Sequence, residues 1–269
     1  MSSEFKENRA LAQAASAQAA TELIARRRAG RVGARLPEAC RPADTEQGWQ
    51  IQQLVTLGLN HAVAGWKCAL PTAGKLVAAP IYADAVHRAP RVPLATTTPV
   101  RFEPEIGYLM AHDLPPRAEP YRPHEVDAAV GHACCALEVI ASRYALDAEV
   151  PFAEQLADGL LNSGVVLGPV VDDRDWQNFD LAVEVDGAVQ SYPARHPDAH
   201  PRAGLYWLAN FLGQRGLGLQ AGQVVITGSL AGVLTWPAAR QIALRYGDLA
   251  AFDFSFHYPE LAQSPPGSA

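Results

Sequence analysis

Apolar residues change their spacing along this chain near residue 63. Before that point they recur at helical intervals, first in an Ala-rich stretch from about Glu4 to Ala29 and then after residue 44. Asp44 and Gln47 predict a capping box at the start of the second helix. We therefore predict a helical N-terminal segment, residues 1–62, that packs on the rest of the chain.

Short β-like runs separated by proline and glycine follow from residue 63 onward. The runs that we predict as strands are Val77–Tyr82, Val100–Met110, Ala136–Ile140, Gly164–Val171, Leu181–Val185, Val224–Ile226 and Gln241–Arg245. Asp186-Gly187 predicts a hairpin turn.

Two predicted helices, His124–Cys134 and Gly204–Leu212, interrupt these strands. This order favours an α+β fold over regular βαβ repeats. We predict a β-rich body over residues 63–260 and a disordered tail over residues 261–269, within a single domain overall.

Charge and hydropathy exclude several classes of partner. The 269 residues include 22 basic and 28 acidic side chains, for a formal net charge of −6. No basic block is long enough to follow a phosphate backbone, so we expect no nucleic acid partner. No apolar run reaches membrane-spanning length and no secretory signal pattern is present, so we expect no membrane partner and a cytoplasmic location. Arg26, Arg27, Arg28 and Arg31 close the first helix, where cations favour the helix dipole.

Three glutamates lie in apolar, strand-like stretches, where a carboxylate needs a partner. Glu103 and Glu105 are two residues apart and would project from the same face of a strand, with Gly107 leaving room there, and Glu138 lies in the next strand. Pro104 predicts an edge or a bulge at this point. Three carboxylates suit Mg²⁺ or Mn²⁺. The alternative is that they form surface salt bridges with arginines, and spacing alone favours neither interpretation.

Other polar residues have two interpretations each. Lys67 follows an aromatic residue and could face an anionic substrate, although an exposed lysine at a strand end is the commoner case. Asp158 and Asn162 would share a face if their segment is helical, and helix capping by Asn162 is an adequate alternative. His196 and His200 are four residues apart, but intervening prolines disfavour the helix that a zinc-binding pair needs.

Several motifs, taken in order, resemble one family of enzymes. They are Gly65-Trp66-Lys67, Glu103-Pro104-Glu105-Ile106, Leu137-Glu138-Val139-Ile140-Ala141-Ser142-Arg143, Ala157-Asp158 through Asn162-Ser163-Gly164, His200-Pro201 before Trp207-Leu208-Ala209, and Ile226-Thr227-Gly228-Ser229. Together they resemble the 2-keto-4-pentenoate hydratases and 4-oxalocrotonate decarboxylases of the fumarylacetoacetate hydrolase superfamily. The resemblance runs from about Glu46 to Phe254.

The resemblance implies a mixed β-roll or sandwich with flanking helices, and a homo-oligomer. It implies Mg²⁺ or Mn²⁺ held by Glu103, Glu105 and Glu138, and a small 2-oxo or 2-hydroxydienoic acid substrate that chelates the metal and reacts through an enolate. The implied catalytic residues are Lys67, Asp84 and Asp158. The implied substrate-binding residues are Asn162, Ser163, Thr227 and Ser229.

The expected reaction is hydration of a 2-hydroxy-2,4-dienoate to a 4-hydroxy-2-oxo acid in aromatic-compound catabolism. The alternatives are a metal-dependent decarboxylase of 2-oxo-dioic acids, a hydrolase of the C–C bond in an acylpyruvate, a non-catalytic subunit that associates with a paralogous decarboxylase, and a structural module with salt-bridged acids. The chain departs from the family in a shorter segment between Lys67 and Asp84, and in Gly159 where asparagine is usual. The shorter segment is compatible with a larger substrate or with a different reaction through the same enolate.

Overall fold

The structure is a computed structural model that describes residues 3–72, 74–93, 100–145, 147–172, 179–198, 200–236 and 241–257. The predicted tail, residues 261–269, lies outside these ranges. The helices are α1 (Ser3–Ala29), α2 (Thr45–Leu59), α3 (Pro123–Ala129), α4 (Phe152–Ala157) and α5 (Ala203–Gln214). The strands are β1 (Val63–Cys68), β2 (Ala78–Tyr82), β3 (Val86–Arg88), β4 (Arg91–Pro93), β5 (Val100–Met110), β6 (Val130–Ile140), β7 (Asn162–Val171), β8 (Phe179–Val185), β9 (Ala188–Ala194), β10 (Val224–Ile226), β11 (Leu234–Trp236), β12 (Ile242–Tyr246) and β13 (Ala250–His257).

The two N-terminal helices form where the apolar spacing predicts them. The Asp44 carboxylate caps α2 by accepting a hydrogen bond from the Gln47 amide at 2.8 Å. Helix α2 packs between α1 and α4. Its buried residues Ile51 and Val55 join an apolar cluster that also contains Tyr82 and Tyr144 of the body. None of the helices within the described ranges is long and apolar enough to cross a membrane.

Two sheets form the body. The larger sheet has eight strands in the order β2-β1-β10-β5-β6-β7-β3, with β11 pairing the start of β5. It is mixed, because β1 and β10 are parallel, as are β3 and β7, while the central pairs are antiparallel. The sheet curls until β2 packs on β7, and a small apolar cluster that includes Ile81, Ala136 and Val165 fills its inner face. The second sheet has five strands in the order β4-β13-β12-β8-β9, and β8 and β9 form the predicted hairpin at Asp186-Gly187. The predicted α+β roll with an N-terminal helix is confirmed.

Two helical expectations differ from the structure, one in its C-terminal half and one throughout. The helix predicted over His124–Cys134 ends at Ala129, because the residues that follow pair with β5, as Ala133 does with Tyr108. Pairing with β5 and β7 on both sides therefore overrides the helical preference of this segment. The stretch from Asp158 to Asn162 is also not helical, since α4 ends at Ala157 and Asn162 begins β7.

Candidate active site

The three glutamates meet on two neighbouring strands. Glu103 and Glu105 project from one face of β5, and Glu103 lies directly opposite Glu138 of β6 in the antiparallel register. Carboxylate oxygens from all three residues lie within 4.8 Å of one another. Glu105 and Glu138 are fully buried and Glu103 is partly buried. The cluster is therefore a compact acidic site, and the alternative of exposed surface acids is wrong.

The backbone beside the acids is locally unpaired. Strand β5 pairs with β11 up to Phe102 and with β10 from Gly107, so no described strand covers residues 103–106 on that side. Pro104 lies in this gap, where its carbonyl accepts a hydrogen bond from the Leu230 amide at 2.8 Å. Pro104 is thus on an interior strand with a local opening, and the predicted bulge is absent from the described register around it. The amide of Gly228 donates to Glu105 Oε2 at 2.8 Å and fixes that carboxylate.

Gly107 does not leave the predicted room on the acidic face. A side chain there would approach the Val224 methyl at 3.1 Å and the Cys134 sulfur at 3.2 Å. Neighbouring side chains therefore leave little space beside Gly107.

Lys67 supplies the cation that faces the acids. Its Nζ lies 2.8 Å from Glu138 Oε2 and donates to the carbonyl of Leu160 at 3.2 Å. Burial alone would lower the pKa of this lysine, but the charges of Glu138, Glu103 and Glu105 outweigh burial and raise the pKa above its usual value. Lys67 therefore places a positive charge and a hydrogen-bond donor next to Glu138, and the alternative of an exposed lysine is wrong.

One lysine does not neutralise three carboxylates. Burial and the charge of Glu138 raise the pKa of Glu103 to about 7, with Lys67 acting in the opposite direction. Burial and Glu138 also raise the pKa of Glu105 well above its usual range. A divalent cation would remove this repulsion, and an all-oxygen donor set suits a hard cation such as Mg²⁺, Mn²⁺ or Ca²⁺. The residues present therefore fit the implied metal.

A left-handed turn places the groups that support Lys67 and Glu138. Gly159, Leu160 and Leu161 have φ values of +82°, +53° and +64°, a conformation that is uncommon for leucine and is often found at functional sites. The turn presents the Leu160 carbonyl to Lys67 and leads directly into Asn162. The Asn162 side chain is buried, and its Nδ2 donates to Glu138 Oε1 at 2.8 Å. Asn162 therefore orients Glu138 in this structure.

Asp158 does not face the acids. Its side chain is 1% exposed, and both carboxylate oxygens accept from Arg143 Nε, at 2.8 and 2.7 Å. Arg27 contacts the same carboxylate at 3.5 Å and also donates to the Asp158 carbonyl. Arg143 also donates to the Asn162 carbonyl at 3.1 Å. These contacts show a buried ion pair that holds the turn in place, which argues against proton transfer by Asp158.

The remaining predicted residues lie around this centre. The Asp84 side chain is 63% exposed and pairs with His61 at 3.1 Å, and its described contacts do not reach Lys67 or the glutamates. Ser163 is exposed, next to Asn162. Thr227 is fully buried directly after β10. Ser229 donates to the Gly232 carbonyl at 3.0 Å, within the loop that fixes Glu105.

Sequence reasoning missed the position of His196. The buried ring places Nε2 at 3.3 Å from the Thr227 hydroxyl, next to the Gly228 amide that binds Glu105. Burial lowers its pKa, so the imidazole is neutral near pH 7. His196 and its neighbour Pro197 lie against Gly228 in the folded chain, although they are distant from it in the sequence. No spacing in the sequence indicates this contact.

The chain is an α+β protein with a curled mixed sheet that carries a buried cluster of three glutamates and a lysine. Residues 65–257 match the family described as fumarylacetoacetate (FAA) hydrolase C-terminal, and the chain belongs to that family.

Individual relatives agree with this assignment. A 2-keto-4-pentenoate hydratase of Burkholderia vietnamiensis is 28% identical over 250 residues, which cover 84% of this chain and 92% of the relative. A 4-oxalocrotonate decarboxylase of Pseudomonas sp. is 27% identical over 172 residues, covering 63% of this chain and 66% of the relative. Among solved structures, 4-oxalocrotonate decarboxylase from Pseudomonas putida G7, complexed with magnesium and adipate, has a TM-score of 0.70 at 17% identity, covering 89% of this chain and 97% of that chain.

Proposed function

We propose that the chain is a metal-dependent hydratase that adds water to a 2-hydroxy-2,4-dienoate to give a 4-hydroxy-2-oxo acid in aromatic-compound catabolism. The observation that carries the proposal is the cluster of Glu103, Glu105 and Glu138 with Lys67 beside it. The curated relatives that match most of the chain support it, because two of them are named 2-keto-4-pentenoate hydratase.

Glu103, Glu105 and Glu138 would hold Mg²⁺ or Mn²⁺ in the proposed enzyme. When bound, such a metal supplies Lewis acidity that favours the enolate form of a 2-oxo acid. Gly228 and Asn162 hold two of the ligand carboxylates by hydrogen bonds, at Glu105 Oε2 and Glu138 Oε1. Such supporting hydrogen bonds keep ligand carboxylates oriented.

We assign Lys67 the role of a hydrogen-bond donor and positive charge, because its Nζ already faces a carboxylate oxygen of Glu138. Its Nζ would donate to the 2-oxygen or the carboxylate of the substrate and stabilise negative charge there. The Leu160 carbonyl and Glu138 fix the position of the ammonium group.

Hydration requires two proton transfers to carbon. Carbon 5 gains a proton and the 2-hydroxyl group loses one when the dienol becomes a 2-oxo-3-enoate. Water then adds at carbon 4 and loses a proton, while carbon 3 gains one. Asp84 stays our proposed proton carrier, from an exposed position paired with His61. We reassign Asp158 from proton transfer to the positioning of Arg143, and Asn162 to the positioning of Glu138, while Ser163, Thr227 and Ser229 remain proposed substrate contacts.

Decarboxylation of a 2-oxo-dioic acid is the second candidate. A relative named 4-oxalocrotonate decarboxylase supports it, and the same carboxylate cluster and lysine would serve that reaction. The link between β1 and β2 spans residues 69–77 and is short, which is compatible with a substrate that is longer than a pentenoate. We also propose that the chain forms a homo-oligomer and associates with a paralogous decarboxylase. Light scattering of the pure and mixed proteins would test both.

The test compares Glu138→Gln and Lys67→Met with the wild type, and uses Glu184→Gln, an exposed glutamate on β8, as the matched control. We expect turnover of 2-hydroxypenta-2,4-dienoate to fall by about 100-fold or more in both site variants and to be unchanged in the control. Release of carbon dioxide from a 2-oxo-dienedioate, without hydration of the pentadienoate, would replace the hydratase assignment by the decarboxylase. Full activity of Glu138→Gln would contradict the proposed site.

A further inference from the structure

A cavity of about 310 Å³ lies outside the glutamate cluster and is lined by five arginines. Arg26, Arg27, Arg28 and Arg31 come from the end of α1 and the turn after it, and Arg143 follows β6. The helix dipole explains why arginines are favoured at the C-terminal end of α1. It does not explain why they converge around one cavity with Arg143, which is distant in the sequence.

Carboxylates compensate only part of this charge. Arg26 pairs with Glu22, and Arg27 shares Asp158 with Arg143. Arg28 bonds a backbone carbonyl, that of Gly58, at 2.9 Å.

Arg31 is exposed and has no carboxylate partner in the ranges that the structure describes. Asp84 also lines the cavity, where it pairs with His61. Even when Asp84 is counted against the arginines, the cavity wall keeps an excess of positive charge.

The surroundings of Arg27 show the same excess of positive charge. Its Nε atom is buried and has no hydrogen-bond partner among the described residues. Burial and the nearby charge of Arg143 lower the pKa of the Arg27 guanidinium, and Asp158 only partly opposes them. An additional anion beside Arg27 would relieve both the unmet hydrogen bond and the repulsion.

Asn162 connects the cavity to the glutamate cluster. Asn162 lines the cavity, accepts from Arg143 through its carbonyl at 3.1 Å and donates to Glu138 through its side chain at 2.8 Å. An anion in the cavity would therefore lie next to Asn162, the residue that orients Glu138.

We propose that this arginine-lined cavity is a binding site for a small anion of the carboxylate or phosphate type, with Arg28 and Arg31 as its accessible ligands. Guanidinium groups bind such oxyanions through paired hydrogen bonds, which a chloride ion cannot form. The anion has two possible sources, which are the far carboxylate of a dicarboxylate substrate and a free anion that binds independently of the substrate.

The first test measures thermal unfolding of the full chain in sodium phosphate and in sodium succinate, against sodium chloride at equal ionic strength. Binding predicts a Tm increase of about 3 °C or more at an anion concentration ten times the Kd. The double variant Arg28→Gln with Arg31→Gln should bind at least about tenfold more weakly, because two guanidinium contacts are lost. Both residues are exposed, so the variant should fold, and Arg245→Gln on the exposed face of β12 is the matched control.

The second test separates the sources. If the anion is the far carboxylate of the substrate, the double variant should raise KM for a 2-hydroxydienedioate and leave KM for the monocarboxylate unchanged. If it is a free anion, the variant should treat both substrates alike and lose only the phosphate or succinate effect. Equal Tm in phosphate, succinate and chloride for the wild type would overturn the proposal, as would an anion effect that the double variant retains in full. The thermal measurement needs no turnover, so a failure of the proposed reaction would not be mistaken for a failure of this site.

Discussion

Without a bound metal, the titration of Glu103 should destabilise the chain as the pH rises from about 5 to 8. Burial and the charge of Glu138 raise the pKa of Glu103 from 4.5 to about 7. A carboxyl group with a raised pKa in the folded state contributes stability that is fully present below its unfolded pKa. That contribution is lost as the pH rises through the folded pKa. This pKa shift corresponds to at most about 3 kcal/mol in the free energy of unfolding.

Urea denaturation at about pH 5 and pH 8 in the presence of EDTA would measure this effect. The wild type should lose up to about 3 kcal/mol more than Glu103→Gln between the two pH values, because glutamine carries no charge to repel Glu138. Glu184→Gln should behave as the wild type, since Glu184 is exposed on β8. Mg²⁺ or Mn²⁺ should remove most of the loss, because the cation replaces the proton between the carboxylates.

Equal loss of stability in the wild type and in Glu103→Gln would refute this reasoning. It would mean that the three carboxylates do not repel one another in solution, and that the compact cluster does not persist there. A wild type that loses less stability than Glu103→Gln between the two pH values would be an equally direct contradiction.

Three further predictions follow from the support of the cluster. Asn162→Ala should weaken Mg²⁺ or Mn²⁺ binding about 10- to 100-fold in calorimetry at unchanged secondary structure, because it removes the hydrogen bond that orients Glu138; unchanged affinity would contradict the positioning role. Arg143→Ala should lower the free energy of unfolding by about 3–5 kcal/mol, because it leaves the buried Asp158 carboxylate with only the longer contact to Arg27, at 3.5 Å; a loss under about 1 kcal/mol would contradict a buried ion pair. Gly159→Asn should be tolerated better than Gly159→Val by about 1 kcal/mol or more, because φ is +82° at this position and asparagine adopts that conformation more readily; equal stabilities would contradict the left-handed turn.

The sequence was most informative where local periodicity decides the structure. The two-residue repeat of a strand is enough to place Glu103 and Glu105 on one face, and β5 has the predicted bounds, Val100–Met110. A capping residue such as Asp44 acts over three residues, so the start of α2 could also be predicted.

Features that depend on strand register or on unusual backbone could not be predicted. The antiparallel pairing that sets Glu103 opposite Glu138 depends on the register of two strands, and the sequence of either strand alone does not determine it. The left-handed turn at Leu160 and Leu161 contradicts the usual preference of leucine, so the helical interpretation of this stretch failed. The ion pair between Asp158 and Arg143 also depends on the folded structure, and no sequence pattern indicates it. Proton transfer by Asp158 was predicted for that reason.

The sequence resemblance predicts asparagine at the position of Gly159, and the backbone there suits both residues. Glycine and asparagine are the residues that most readily adopt a positive φ, and Gly159 has a φ of +82°. The departure therefore preserves the turn that presents the Leu160 carbonyl to Lys67.

The loss of 2-hydroxypenta-2,4-dienoate absorbance, followed with chelator-stripped protein before and after the addition of Mg²⁺ or Mn²⁺, tests the central claim most directly. The account predicts negligible turnover without metal, and turnover restored by either metal with a 4-hydroxy-2-oxo acid as the product. Turnover that is unaffected by chelation, or no turnover and no metal binding at the glutamate cluster, would contradict it.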